Sequence, residues 1–95
     1  MEGNKGGVRR KLGRAERKAQ DAALAMAIEA VIKGMERSGM TRADIARKMK
    51  TSSAYLTTAL DGEHAMTVRT LASLAHAMSM DVQIVFKRRK RMTGP

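Results

Sequence analysis

The sequence predicts an all-α domain of four to five helices, followed by one β-strand near the carboxyl end. Three observations lead to this prediction. Apolar residues recur at helical spacings of three and four in several stretches between residues 14 and 80. Gly39 and Gly62 follow two of these stretches, and glycine commonly ends helices because it adopts a left-handed backbone readily. After residue 80 the apolar residues alternate instead, which is the pattern of a strand.

The first predicted helix begins between Arg14 and Asp21 and runs to Ser38. Its apolar stripe consists of Leu24, Ala27, Ile28, Val31, Ile32 and Met35. Gly34 weakens the helix interior by about 1 kcal/mol relative to alanine. We therefore expect Gly34 to allow a close contact with another helix.

Two short helices follow in quick succession. Thr41 and Asp44 have the spacing of a capping box, which starts a helix over residues 42–49. The residues of this helix predicted to face the core are Ala43, Ile45, Ala46 and Met49. Thr51 is the N-cap candidate for a helix over residues 52–60, which ends at Asp61-Gly62. Its predicted apolar side consists of Tyr55, Leu56, Ala59 and Leu60. Two helices that turn sharply onto each other need a small residue where they touch, and Ala46 has that position.

The last predicted helix runs from Val68 to Met78, with Thr67 as its N-cap. Its predicted core face consists of Val68, Leu71, Leu74, Ala75 and Met78. In the loop before it, Met66 is expected to pack against the core. This helix completes the predicted domain, residues 14–80.

The strand is predicted over residues 81–87, DVQIVFK, with Val82, Ile84 and Phe86 on one face. A lone strand leaves its backbone N–H and C=O groups unpaired and is not stable by itself. The same strand of a second copy, antiparallel about a two-fold axis, would satisfy these groups, so we expect a homodimer. The alternative is a short extended tail that packs on its own domain.

The two short helices resemble the helix-turn-helix of the XRE-like family, the lambda-repressor-like group that includes phage Cro proteins and repressors. The resemblance covers roughly residues 27–80 and depends on Ala46, Leu56, Asp61-Gly62 and the run at residues 71–75. The family usually has glycine in the turn between the helices, where this chain has Lys50. A lysine there must adopt a left-handed conformation, at a cost of about 1 kcal/mol, or sit in a different turn.

This resemblance implies that the second short helix enters the major groove of DNA with its amino end first. The residues then expected to face bases are Ser52, Ser53, Ala54, Thr57 and Thr58. Those expected to face phosphates are Arg42, Arg47, Lys48, Lys50, Tyr55 and Arg69. The base-facing set lacks the Arg, Lys, Asn and Gln side chains that pair bidentately with guanine or adenine. Specificity should therefore depend on DNA shape, bridging waters and half-site spacing.

The net charge of +10 is concentrated at the two ends of the chain. Residues 1–18 and 87–95 each carry a net charge of +5, and the segment between them is neutral. We interpret residues 1–13 as a disordered basic arm and residues 88–95 as a basic tail. Arg9, Arg10, Lys11 and Arg14 are candidates for minor-groove contacts. The alternative is a solvated arm that adds only nonspecific attraction.

The composition argues against several other classes of protein. The chain has no cysteine, which excludes disulfides and thiolate metal sites and fits a reducing cytoplasm. Its histidines, His64 and His76, lack a third ligand, so we expect no metal site, and we expect no cofactor and no enzymatic activity. His64 is expected in an exposed loop, where a phosphate contact is its candidate role, and His76 is expected on a helix surface. Tyr55 and Phe86 are the only aromatic residues, which argues against base-stacking single-strand binding. No apolar run is long enough to span a membrane.

These observations together predict a sequence-specific, double-stranded DNA-binding transcriptional regulator, in the form of a homodimeric repressor. Its two half-sites should lie about one helical turn, ~34 Å, apart. One alternative is an antitoxin that represses its own operon and also binds a toxin protein. The other is a nucleic-acid-binding protein without sequence preference.

Overall fold

The computed structural model describes residue 11 and residues 13–89. Four helices follow in chain order: α1 (Arg14–Ser38), α2 (Arg42–Met49), α3 (Ser53–Ala59) and α4 (Val68–Ala77). No strand is present in the described part of the chain, so the strand predicted over residues 81–87 is not observed in the single chain, while the prediction of an all-α fold is confirmed. The predicted arm, except for Lys11 and Gly13, and residues 90–95 of the predicted tail lie outside the described residues.

The core is built from one fully buried side chain on each of three helices. These are Ile45 on α2, Leu56 on α3 and Leu74 on α4. Val31 of α1 joins the same cluster. Helix α2 packs on both α3 and α4, and α1 packs on α4. The side chains that surround the cluster are Ile28, Met35, Met40, Met49, Met66, Leu71 and Met80, so the expected packing of Met66 is confirmed.

Helix α1 comes close to the end of α4 at Gly34. A Cβ atom placed there would lie 2.9 Å from Cε of Met78 and 3.3 Å from Sδ of Met80. The close contact expected at this glycine is therefore confirmed. Only Val31 and Gly34 of α1 are buried, and the amino-terminal half of the helix leaves most of its surface exposed. None of the described helices has the length and apolarity required to cross a membrane.

Four residues predicted to face the core are exposed instead: Ile32, Ala43, Tyr55 and Val68. Each lies at the margin of an apolar stripe whose centre is buried. The described helices make only three helix–helix contacts, and α2 and α3 are only eight and seven residues long. Because so few surfaces meet, each helix buries a narrower face than its apolar pattern suggests.

Two of the three predicted N-cap residues are observed. The capping box of α2 is present: the Asp44 N–H donates to Thr41 Oγ1 (3.1 Å), and the Thr41 N–H donates to Asp44 Oδ2 (2.9 Å). Thr67 caps α4 by accepting the N–H of Thr70 (3.0 Å). For α3 the cap is Ser52, whose Oγ accepts the N–H of Tyr55 (3.1 Å), and the prediction of Thr51 was wrong.

The cap moves to Ser52 because Thr51 belongs to the end of α2. The Thr51 N–H donates to the carbonyl of Ala46 (2.9 Å), and the Lys50 N–H donates to that of Arg47 (3.2 Å). This pattern is a Schellman-type helix end with a left-handed residue before the closing N–H. The left-handed residue is Lys50, with φ 58° and ψ 49°. The turn between α2 and α3 therefore contains a left-handed Lys50 and not a different geometry.

Helix α4 ends in the same way. Ser79 has φ 60°, its N–H donates to the carbonyl of His76 (2.9 Å), and the Met80 N–H donates to that of Ala75 (2.8 Å). Lys50 and Ser79 are the only residues other than glycine with positive φ in the described chain. The fold thus contains two equivalent helix ends, each with a side chain where glycine is usual.

Candidate nucleic-acid interface

The candidate interface is the surface of α2, the turn at residues 50–52 and α3. Ala46 is buried between the packed helices, as expected of a small residue at their crossing. The left-handed Lys50 reverses the chain, and Ser52 then starts α3 through its side-chain cap. Local hydrogen bonds at both ends of the turn therefore hold the direction of α3 relative to α2.

Helix α3 has one buried face and one polar exposed face. Leu56 and, just past the helix end, Leu60 are buried in the core. The five predicted base-facing residues, Ser52, Ser53, Ala54, Thr57 and Thr58, are all exposed. The hydroxyl of Ser52 already accepts the N–H of Tyr55, which leaves its O–H as a donor. Thr57 and Thr58 make no side-chain hydrogen bond to other described residues, so their hydroxyls are available to solvent or a ligand.

The predicted phosphate-facing cations are exposed as well. Arg42, Arg47, Lys48 and Lys50 lie on α2 and at its end. The single acid among them is Asp44. Its Oδ1 lies 3.3 Å from Nη1 of Arg47, an exposed pair of the kind that contributes little to stability. Because four cations surround one carboxylate, the local surface keeps an excess of positive charge.

The environment of Asp44 favours its ionised form. The backbone N–H of Thr41, followed by the Thr41 hydroxyl, holds the pKa of this carboxyl below its ordinary value, and the positive charge of Arg47 acts in the same direction. Asp44 is therefore charged at neutral pH. The charged carboxylate caps the start of α2 and partly neutralises Arg47.

Three further residues flank the candidate interface. Tyr55 on α3 and Arg69 in the first turn of α4 are both exposed, as a phosphate contact requires. His64 lies in the α3–α4 loop, with Nδ1 3.2 Å from Oδ2 of Asp61. The N–H of Glu63 donates to the same carboxylate and is the main reason that the pKa of Asp61 is lowered. His64 is thus part of a local loop contact, and His76 is exposed on α4 as expected.

The predicted dimerisation residues lie beside α1. Val82 is half-buried, whereas Ile84 and Phe86 are 58% and 96% exposed. Together with α1 this segment forms an apolar groove of about 610 Å³. The residues contributed by α1 are Ala23, Met26, Ala27, Ala30 and Val31. Their helical spacing was present in the sequence, but only Ala27 and Val31 were assigned to an apolar face.

No group of three or more His, Asp or Glu side chains is arranged to hold a metal ion in the described part of the chain. Comparisons with protein-family models, with curated proteins and with solved structures found no match.

Proposed function

We propose that the protein is a sequence-specific, double-stranded DNA-binding regulator of the XRE-like helix-turn-helix class that acts as a homodimeric repressor. The observation that carries this proposal is the division of α3 into two faces. Leu56 is completely buried, while all five proposed base-facing residues are exposed beside the four cations of α2 and its end. A helix anchored on one side and polar on the other, next to positive charge, suits insertion into the major groove.

The available side chains divide the work between affinity and specificity. Arg42, Arg47, Lys48 and Lys50 supply phosphate contacts, which position a protein on DNA but do not read its sequence. Hydroxyl and methyl groups on α3 read base edges less selectively than bidentate pairs do. We therefore propose that a second copy adds a second half-site, and that DNA shape contributes at positions the protein does not touch.

The homodimer is proposed to form through the segment that contains Val82, Ile84 and Phe86. Two observations support this assignment: its apolar side chains are exposed, and its backbone makes no hydrogen bond to the rest of the described chain. Two recognition helices related by a two-fold axis would read half-sites about 34 Å apart.

Selection from random duplexes at physiological salt tests the proposal directly. The full chain is expected to enrich a two-fold symmetric sequence, and nuclease footprinting on that sequence should show two protected half-sites one turn apart. Equal affinity for the selected and scrambled duplexes would contradict sequence-specific binding and favour the nonspecific alternative.

A double substitution on α3 tests the base-facing assignment. Thr57→Ala with Thr58→Ala removes two exposed hydroxyls that make no described hydrogen bond, so the fold should be retained. Affinity for the selected duplex should fall while affinity for scrambled DNA stays unchanged, as measured by fluorescence anisotropy. Ser73→Ala, an exposed hydroxyl on α4, is the matched control and should change neither affinity. Unchanged specific affinity in the double variant would show that these threonines do not face bases.

A further inference from the structure

The exposure of the carboxyl-terminal segment increases steadily along one face. Val82 is half-buried, Ile84 is 58% exposed and Phe86 is 96% exposed. The chain therefore starts against its own domain and runs past the edge of it. The last backbone hydrogen bond between described residues is the one from the Met80 N–H to the Ala75 carbonyl. Residues 81–89 thus make no backbone hydrogen bond to another described residue, and they include an aromatic side chain that is almost fully exposed.

The apolar groove runs along this segment. Its walls include residues 23–31 of α1 and residues 80–86. Met26 is largely exposed on the α1 wall, and Val82 lines the opposite wall. The molecule therefore has an open apolar groove along the segment, and Phe86 at its far end is 96% exposed.

The sequence of the segment selects one antiparallel register between two copies. Residues directly opposite each other in an antiparallel pair lie on the same face. Centring the pair on Ile84 places Val82 opposite the second copy's Phe86 and Asp81 opposite its Lys87. Each apolar residue of the Val82 face then meets an apolar residue, and the only acid of the segment meets a cation at both ends.

The neighbouring registers satisfy fewer of these conditions. A shift of half a pair, centred between Ile84 and Val85, places Val82 opposite Lys87 and Phe86 opposite Gln83. Centring on Gln83 places Asp81 opposite Val85. Centring on Val85 places Val82 opposite Arg88. Charge complementarity and apolar matching therefore favour the register centred on Ile84.

We propose that the groove between α1 and the carboxyl-terminal segment is the docking site for Phe86 of a second copy, in the register centred on Ile84. Phe86 of each copy lies directly opposite Val82 of the other, and Val82 lines the groove. The two-fold axis thus covers the exposed end of each segment with the other copy's domain. This inference deepens the homodimer that forms part of the proposed function and rests on it.

Engineered cysteines test the register, because the chain contains no native cysteine. Opposite residues in an antiparallel pair have Cα atoms about 4.5–5.5 Å apart, which suits a disulfide. Ile84→Cys should therefore cross-link to itself under mild oxidation in the absence of DNA. Val82→Cys is the matched control, since its two copies would lie about 13 Å apart along the strands and should not cross-link. Mixing Val82→Cys with Phe86→Cys chains should produce the mixed dimer. Absence of the Ile84 cross-link, or efficient self-cross-linking of Val82→Cys, would overturn the proposal.

A charge reversal provides a second test that does not depend on disulfide geometry. Asp81→Lys and Lys87→Asp should each raise the dimer dissociation constant about fivefold, and the double variant should restore it. Asp81→Lys with Arg88→Asp carries the same net charge but leaves the opposed pair unrepaired, so it should not restore association. Sedimentation equilibrium measures all four proteins. Equal recovery by both double variants, or recovery by neither, would overturn the register.

Substitution of the aromatic anchor tests the groove itself. Phe86→Ala should raise the dimer dissociation constant at least tenfold, and Val85→Ala, on the other face of the segment, should raise it less. Because Phe86 is uncovered in a single copy, its loss should leave the dilute monomer's thermal unfolding unchanged. An unchanged dissociation constant for Phe86→Ala would remove Phe86 from the interface.

These measurements separate the dimer from DNA binding. Cross-linking and self-association are observed without DNA, so a protein that dimerises in this register but selects no duplex would retain this inference and lose the proposed function. A protein that selects a duplex but fails the cross-linking test would retain its DNA binding and lose this dimer.

Discussion

Lys50→Gly should stabilise the fold but weaken DNA binding. The left-handed conformation costs a side-chain-bearing residue about 1–2 kcal/mol, and Lys50 adopts it with φ 58°. Glycine removes this cost but adds about 0.4–1 kcal/mol of unfolded-state entropy. The net gain in the free energy of unfolding is roughly 1 kcal/mol, which raises Tm by about 4–8 °C for a domain of this size.

The same substitution removes one of the cations proposed to contact phosphate. Affinity for DNA should therefore fall for all sequences alike, and the slope of log affinity against log salt should decrease by about 1 for each bound copy, or about 2 for the proposed homodimer. Ser79→Gly is the matched control, because Ser79 closes α4 with the same conformation and the same hydrogen-bond pattern. It should stabilise the fold similarly and leave DNA affinity and its salt dependence unchanged.

Thermal unfolding followed by circular dichroism gives the stability of the three proteins, and fluorescence anisotropy between about 50 and 200 mM salt gives the slope. If Ser79→Gly is stabilising and Lys50→Gly is not, the turn at Lys50 does not store the strain assigned to it. If Lys50→Gly leaves the salt slope unchanged, Lys50 does not contact phosphate.

Two further predictions concern the stability of the domain. Asp44→Asn should flatten the loss of stability in acid: the pKa of Asp44 lies below its ordinary value of 3.8, so its contribution is present above that value and is lost as the pH falls through the lowered pKa. Urea denaturation between pH 2 and 5 measures this, and identical profiles for the two proteins would contradict it. Gly34→Leu should lower the free energy of unfolding by about 1–3 kcal/mol through overpacking against Met78, and an unchanged urea midpoint would show that the α1–α4 contact yields without cost.

The helix positions were largely predictable because their signals are local. The capping box at Thr41 and Asp44, the cap at Thr67 and the stop at Gly39 each depend on hydrogen bonds within a few residues. Thr51 was the exception, since its N–H was already committed to the carbonyl of Ala46. The hydrogen bond that ends α2 depends on residues of that helix, and the sequence pattern of α3 alone does not reveal it.

The candidate site was predictable in its exposure but not in all its contacts. Thr57, Thr58 and the cations of α2 are exposed as expected, because they lie opposite the buried centres of their helices. The hydrogen bond from the Tyr55 N–H to the Ser52 hydroxyl was not predicted, because Thr51 was the predicted cap. The DNA-binding and repressor assignments remain predictions that the experiments above test.

The sequence by itself determined four helices, their approximate ends and an excess of positive charge on α2, because spacing, capping and composition are properties of neighbouring residues. The tertiary structure decided which margins of the apolar stripes are covered. Val68 stays 60% exposed because burial requires a partner surface, and the described helices meet in only three pairs. It also placed residues 80–86 beside α1, where the two form an apolar groove, because residues so far apart in sequence meet only through the packing of the helices between them.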